Sequence, residues 1–185
     1  MREMRTIGIG LAFALLIGAT AAHAGWDDRS ATDSFFIEGG GPGLLYSVNY
    51  EHIFENDFGF RGGFSYTSLS ATAGSSSASA SFIAVPIVLS YLGASSGNHA
   101  LELGGGATLI NASGAASGTG VAVSGSGMTV LGTAQLGYRR QPVEGGFMFR
   151  IGVEALFGKG LAFKNPDPNA FGVLPWAYLS LGFTL

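Results

Sequence analysis

The chain contains no cysteine. That absence excludes a disulfide framework, thiolate nucleophiles and cysteine metal sites. Charge is also scarce: Asp, Glu, Lys and Arg make up 11% of the residues, where a soluble globular domain carries roughly 25%. The formal net charge is −3, so the basic stripe of a nucleic-acid-binding protein is missing. Past the first two dozen residues, no apolar run reaches the ~18 residues of a spanning helix. Helical periodicity is absent there too.

Glycine and phenylalanine are abundant, at 31 and 14 of 185 residues, and mean hydropathy is +0.37. The N-terminus accounts for part of this. "MREMR" is a positive n-region, "TIGIGLAFALLIGAT" an apolar h-region, and Ala22-His23-Ala24 an A-x-A cleavage site. Residues 1–24 are expected to be a cleavable signal peptide, leaving one domain over 25–185. Loss of Arg2, Glu3 and Arg5 takes the net charge from −3 to −4.

The remainder reads as period-2 segments separated by turn signals. Strands are expected near 33–40, 44–54, 58–68, 80–93, 98–110, 127–140, 145–157 and 175–185. Most reach the ~9–11 residues with which a tilted strand crosses a bilayer. After the tight "GGPG" hairpin (40–43), short connections (55–57, 94–98, 141–145) alternate with long ones (70–80, 111–127, 158–174). That alternation belongs to an up-and-down outer-membrane barrel, with short periplasmic turns and longer external loops. The Gly/Ser/Ala-rich segments 70–80 and 111–127 read either as mobile loops or as continuations of the strand ladder above the membrane.

The two faces of each strand decide the class. In 44–54, Leu44, Tyr46, Val48, Tyr50, His52 and Phe54 oppose Ser47, Asn49 and Glu51. In 146–157, Phe147, Phe149, Ile151, Val153 and Phe157 oppose Met148, Arg150, Gly152 and Glu154. A soluble sandwich also alternates, but its polar face would carry solvated Lys and Glu. Here the polar face is mostly Gly, Ser and Thr, as a narrow interior requires, and no helix is available to cover the aromatic face. The expected fold is therefore an all-β, eight-stranded antiparallel transmembrane β-barrel. Aromatics near strand ends, Trp176 among them, suit an interfacial girdle.

The inward charges form a set: Glu38, Glu51, Arg61, Glu102, Arg139, Arg150 and Glu154. Arginine forks bind carboxylates, and unpaired charge is costly in a narrow interior. These residues are expected to pair across the lumen and plug it, since eight strands enclose a space that side chains can fill.

No catalytic, cofactor or metal site emerges. His52 and His99 fall on the apolar face near strand ends, remote from each other. "EHIFEND" (51–57) lacks a neighbouring nucleophile. "NPDPN" (165–169) offers one Asp, too few hard ligands for calcium. The glycine strings at 39–43 and 104–106 precede no helix, so they lack the geometry of a phosphate loop.

Several stretches resemble small bacterial outer-membrane β-barrel proteins of the OmpA/OmpX type. They are "FFIEGGGPGLLYSVNYEHIF" (35–54), "GFRGGFSY" (59–66), "LELGGGATL" (101–109), "LGYRRQPVEGGFMFRIGVEALFG" (136–158) and "PWAYLSLGFTL" (175–185). The resemblance implies an integral outer-membrane protein of eight strands and brings no substrate, since such proteins are mostly without assigned activity. One departure is the last residue: such strands usually end in Phe, and this one ends in Leu185.

The expected role is structural or interactive at the cell envelope. A small-solute porin-like channel and a lipid-modifying barrel enzyme are the alternatives. The expected partners are outer-membrane lipid and, during insertion, the β-barrel assembly machinery. The C-terminal segment Tyr178, Leu179, Leu181, Phe183 and Leu185 would be the part that machinery grips. A monomer is expected, with no nucleic acid and no cofactor.

Overall fold

The computed structural model describes residues 29–54, 57–118, 121–159, 161 and 170–185. The expected signal peptide and the "NPDPN" segment lie outside them, as do Glu55 and Asn56 of "EHIFEND". Eight strands run in chain order: β1 (Asp33–Gly40), β2 (Tyr46–Phe54), β3 (Phe58–Ala73), β4 (Ser76–Ser96), β5 (His99–Gly118), β6 (Val121–Arg140), β7 (Gly146–Lys159) and β8 (Phe171–Thr184). Each pairs antiparallel with the next, and β8 pairs with β1 to close a barrel. Below the seam, Asp33 and Leu185 exchange backbone hydrogen bonds of 3.1 and 2.7 Å. The apolar C-terminus is thus no free edge, and closure pairs its backbone groups.

The sequence alternation becomes an inside-out barrel. In β2, every second residue from Ser47 to Ile53 is buried and the others are exposed. Ile37 is 62% exposed and Phe183 61%, whereas Glu38 and Glu102 are fully buried. Phe, Tyr, Val and Leu favour the pleated surface and here form a continuous outer belt. The interior takes the charged and small polar side chains.

On one side the strands outrun their expected bounds, and of the two readings of the Gly/Ser/Ala-rich segments the ladder holds: apart from the turn at Gly74 and Ser75, the described residues of 70–80 and 111–127 are strand. β3 pairs with β4 up to Ala73↔Ser76, and β5 with β6 up to Gly118↔Val121. Since β4 also pairs with β5 as far as Ser77↔Ser117, the four strands continue past the barrel as one sheet. By contrast, β2 begins only at Tyr46 and β1 ends at Gly40. The sheet stands beyond the rim with both faces exposed.

Buried chain stands at both ends of the barrel. The β1–β2 connection does not project outward: Gly41, Pro42 and Gly43 are buried in a 3-10 turn, and the Thr108 hydroxyl donates to the Pro42 carbonyl at 2.9 Å. Leu44, expected on the outer face of β2, sits in this turn at φ 73° and packs on Ala84, Ile110 and Leu131. The left-handed Gly40 and Gly41 (φ 72° and 70°) permit the inward fold. At the other end, the Ser30 and Ala31 amides donate to the Val143 carbonyl at 3.1 and 3.0 Å. Val143 in turn packs on Ile53, Leu92 and Ala100.

Closure needs bare backbone on the seam. A Cβ on Gly182 would lie 2.7 Å from the Phe36 Cα, whereas one on Gly62 would meet nothing within 4 Å. Gly182→Val should destabilise the barrel by about 1–3 kcal/mol through overpacking. Gly62→Val should leave it unchanged. Urea titration in lipid vesicles, read by the heat-modifiable gel shift, measures both.

Candidate functional site

The site is the charged lumen, to which all eight strands contribute. Glu38 comes from β1, Glu51 from β2, Arg61 from β3, Ser90 from β4, Glu102 from β5, Arg139 and Gln135 from β6, Arg150 and Glu154 from β7, and Ser180 from β8. Each stands on an inward position because side chains alternate along a strand.

The contacts form one connected string. At the short-turn end, Arg139 donates from Nη1 and Nη2 to the two Glu51 oxygens at 2.5 and 3.0 Å. Its Nε reaches Glu102 Oε2 at 3.1 Å. Arg150 then grips Glu102 in a fork, Nε to Oε2 at 2.9 Å and Nη2 to Oε1 at 2.5 Å. Arg150 Nη1 continues to Glu38 Oε2 at 3.2 Å. The same oxygen accepts from Arg61 Nη1 and the Ser180 hydroxyl, both at 2.8 Å. Arg61 Nη2 donates to Gln135 Oε1 at 2.9 Å, and Gln135 Nε2 donates to Glu154 Oε2 at 2.8 Å.

Two aromatic faces brace the cations. The Arg150 guanidinium carbon lies 4.8 Å from the Phe36 ring centroid and 5.2 Å from that of Tyr178. Such stacking suits the flat guanidinium in a water-poor space. Sharing Glu102 between Arg139 and Arg150, and Glu38 between Arg150 and Arg61, leaves each of these cations with a carboxylate beside it. That is the condition under which buried charge is tolerated.

Not every expected pair forms. Among the described residues, Glu154 has no arginine within ion-pair distance; its partners there are Gln135 and the Thr133 hydroxyl, at 2.8 and 3.2 Å. Trp176 is not in an outer girdle: it stands in β8 on the inward series with Tyr178 and Ser180, and its indole donates to the Leu44 carbonyl at 3.1 Å. There it ties β8 to the inward turn at Gly41–Leu44.

Two residues join the site unforeseen. Arg29, ahead of β1, is buried at the short-turn mouth and donates to the Ala31 carbonyl at 3.3 Å. Burial lowers its guanidinium to about 10, with the Arg139 charge adding to the effect and Glu51 opposing it. It supplies a fourth cation against four carboxylates. No periodicity marks it, because it precedes the first strand. Gln141 accepts from Arg139 Nη1 at 3.0 Å and donates to the Ser34 hydroxyl at 2.9 Å. Its place two residues beyond Arg139 continues the inward series of β6, a signal hidden by reading "QPVEG" as turn alone.

The histidines stay outside the lumen. His52 Nδ1 lies 3.0 Å from Asp33 Oδ1, which also accepts from the Tyr50 hydroxyl at 2.5 Å. His99 Nδ1 lies 2.5 Å from the Tyr138 hydroxyl. Among the described residues, no three His, Asp or Glu side chains group so as to hold a metal ion.

No family model matches the chain, and no curated protein matches it. Solved structures do. The structure of Ail, the attachment invasion locus protein of Yersinia pestis, in complex with the heparin analogue sucrose octasulfate, superposes with a TM-score of 0.51 at 16% identity, covering 83% of this chain and 97% of that one. The N-terminal β-barrel domain of Pseudomonas aeruginosa OprF does so at 0.50 and 11% identity, covering 85% and 98%. The likeness is one of fold. This chain has the eight-stranded barrel fold of those proteins, with a lumen described by its own residues.

The network separates two kinds of variant. Arg150→Met leaves Glu38 and Glu102 short of a cation and should cost about 3–5 kcal/mol. Glu154→Gln keeps neutral hydrogen bonding and should cost less than about 1 kcal/mol. Equilibrium unfolding of both variants in vesicles measures the difference.

Proposed function

We propose that the chain is an integral barrel of the bacterial outer membrane, a monomer with a closed lumen, whose role is to hold a sheet outside the membrane for contact with the surroundings. The observation that carries this reading is the pairing of a filled interior with a projecting four-stranded sheet. A channel would need a continuous watery path. The charged string across the lumen and the buried apolar clusters toward its two ends support a closed lumen instead. That speaks against the small-solute channel. The described histidines bond to Asp33 and to Tyr138, which gives a lipid-modifying enzyme no support.

The projecting sheet has its own chemistry. From Gly62 to Asn98 and from Leu103 to Tyr138 there is no Asp, Glu, Lys or Arg. The registers place Ser68, Ser70, Ser79, Ser81, Ser113 and Ser126 on one face, continuous with the outer side of the barrel. Hydroxyls pair across strands, Ser77 with Ser117 and Ser81 with Ser113, both at 2.9 Å. Ala71, Ala78, Ala80 and Ala116 belong to the opposite face. Contacts made there would be through hydroxyls, methyls and backbone. The polyanion seen with Ail needs basic residues, which this sheet lacks.

In this reading the short turns and both termini face the periplasm. The assembly machinery engages β8 through the outward residues Leu179, Leu181, Phe183 and Leu185, with Tyr178 facing inward. Membrane fractionation and planar-bilayer recording test the proposal together. The protein should appear in the outer membrane in heat-modifiable form and show no large steady conductance. A soluble periplasmic product, or a stable open channel, would overturn it.

A further inference from the structure

The outer face of the barrel carries a feature that a uniform lipid belt does not need. Arg29, Arg61, Arg139 and Arg150 are turned inward and buried. Among the described residues only Arg140 and Lys159 remain as outward cations, and they lie at opposite ends. Arg140 pairs directly across the ladder with His99, and His99 is bonded to Tyr138. Among the described residues, Arg140 makes one side-chain hydrogen bond, from Nη1 to the Phe147 carbonyl at 3.0 Å. No described carboxylate is within ion-pair distance of it. A guanidinium with five N–H donors therefore has capacity left at the level where the belt ends.

Along the same face of β6, toward mid-barrel, the surface is hollow. Small side chains stand in neighbouring rows, Ala134 beside Ala155 and Ala155 beside Pro175, with Val153 beside Ala177. They line an apolar groove of about 700 Å³. Ala134 to Arg140 is six residues, about 20 Å along a strand. At a strand tilt of about 40° that is about 15 Å of depth, one leaflet of a ~30 Å hydrocarbon core.

We propose that this face is a fixed site for one phospholipid of the periplasmic leaflet. Its phosphate is held by Arg140 beside His99 and Tyr138, and one acyl chain lies in the groove between β6, β7 and β8. The proposal rests on the membrane-spanning reading above. Charge selects the headgroup, because arginine donates to phosphate oxygens through two parallel N–H groups. The groove selects a lipid over free phosphate, because only a lipid also fills the apolar hollow.

The test is native mass spectrometry of the full mature protein refolded in micelles doped with phosphatidylglycerol or with diacylglycerol of the same chains. One phosphatidylglycerol should be retained per protein and diacylglycerol should not. Arg140→Gln should lower retention about tenfold, the loss of one charge-assisted contact. Ala155→Phe, which fills the groove, should lower it as well, and Lys159→Gln at the far end should not. The heat-modifiable shift verifies that each variant is folded. Equal retention by Arg140→Gln, equal retention of diacylglycerol, or displacement by inorganic phosphate would overturn the site. Failure of the membrane reading would show separately, as a protein that does not insert into vesicles.

Discussion

The structure depends on the cost of burying charge in a narrow cylinder. Three lumen arginines have fully buried side chains, as do Glu38, Glu51 and Glu102. Each such ion would cost several kcal/mol alone. They are tolerated because each is held by an opposite charge with good hydrogen-bond geometry, and because the carboxylates are shared. Arg139 and Arg150 meet at Glu102; Arg150 and Arg61 meet at Glu38. This shared arrangement fixes which residues face inward, and hence the register of every strand that supplies one. A slip by one residue would turn all of them into the outer belt.

The rest of the architecture follows from the same division. With the polar groups spent on the inside, the outside is left to Phe, Leu, Ile and Val, a surface that water does not cover favourably. Closure of β8 on β1 leaves no unpaired edge around that belt. Buried chain stands at both mouths: the inward turn at Gly41–Leu44 at one end, and Arg29 to Thr32 with Val143 at the other. Only where the four central strands outrun the rest does the sheet acquire solvent on both faces, and there the sequence turns to serine, alanine and glycine.

Much of this was legible in the sequence because period-2 patterning is physically tied to a one-sided environment. The alternation of Tyr46 to Phe54 gives strand, face and burial together. The extensions were legible only as one of two readings, ladder or loop. Ser and Ala have weak strand preference and the repeats have no apolar face, so nothing local distinguishes ladder from loop; pairing with a neighbouring strand decides it. Pairing partners in the lumen were partly hidden for a related reason. Parity put Glu154 on the inward face but could not say that Gln135 and Thr133, not an arginine, stand beside it. Arg29 lies before the first strand and Leu44 within a turn, where no periodicity applies. Trp176 looked like an interfacial aromatic by residue type, although its even spacing from Tyr178 and Ser180 pointed inward.

The central claim is that the apolar face of each strand meets lipid and the charged face does not. Spin labels placed one at a time at residues 46 to 51 of β2, with the protein inserted in vesicles, test it most directly. Collision rates with dissolved oxygen, which concentrates in the hydrocarbon, should be high at 46, 48 and 50 and low at 47, 49 and 51. Uniform rates along the segment, or high rates at 47 and 49, would contradict the account.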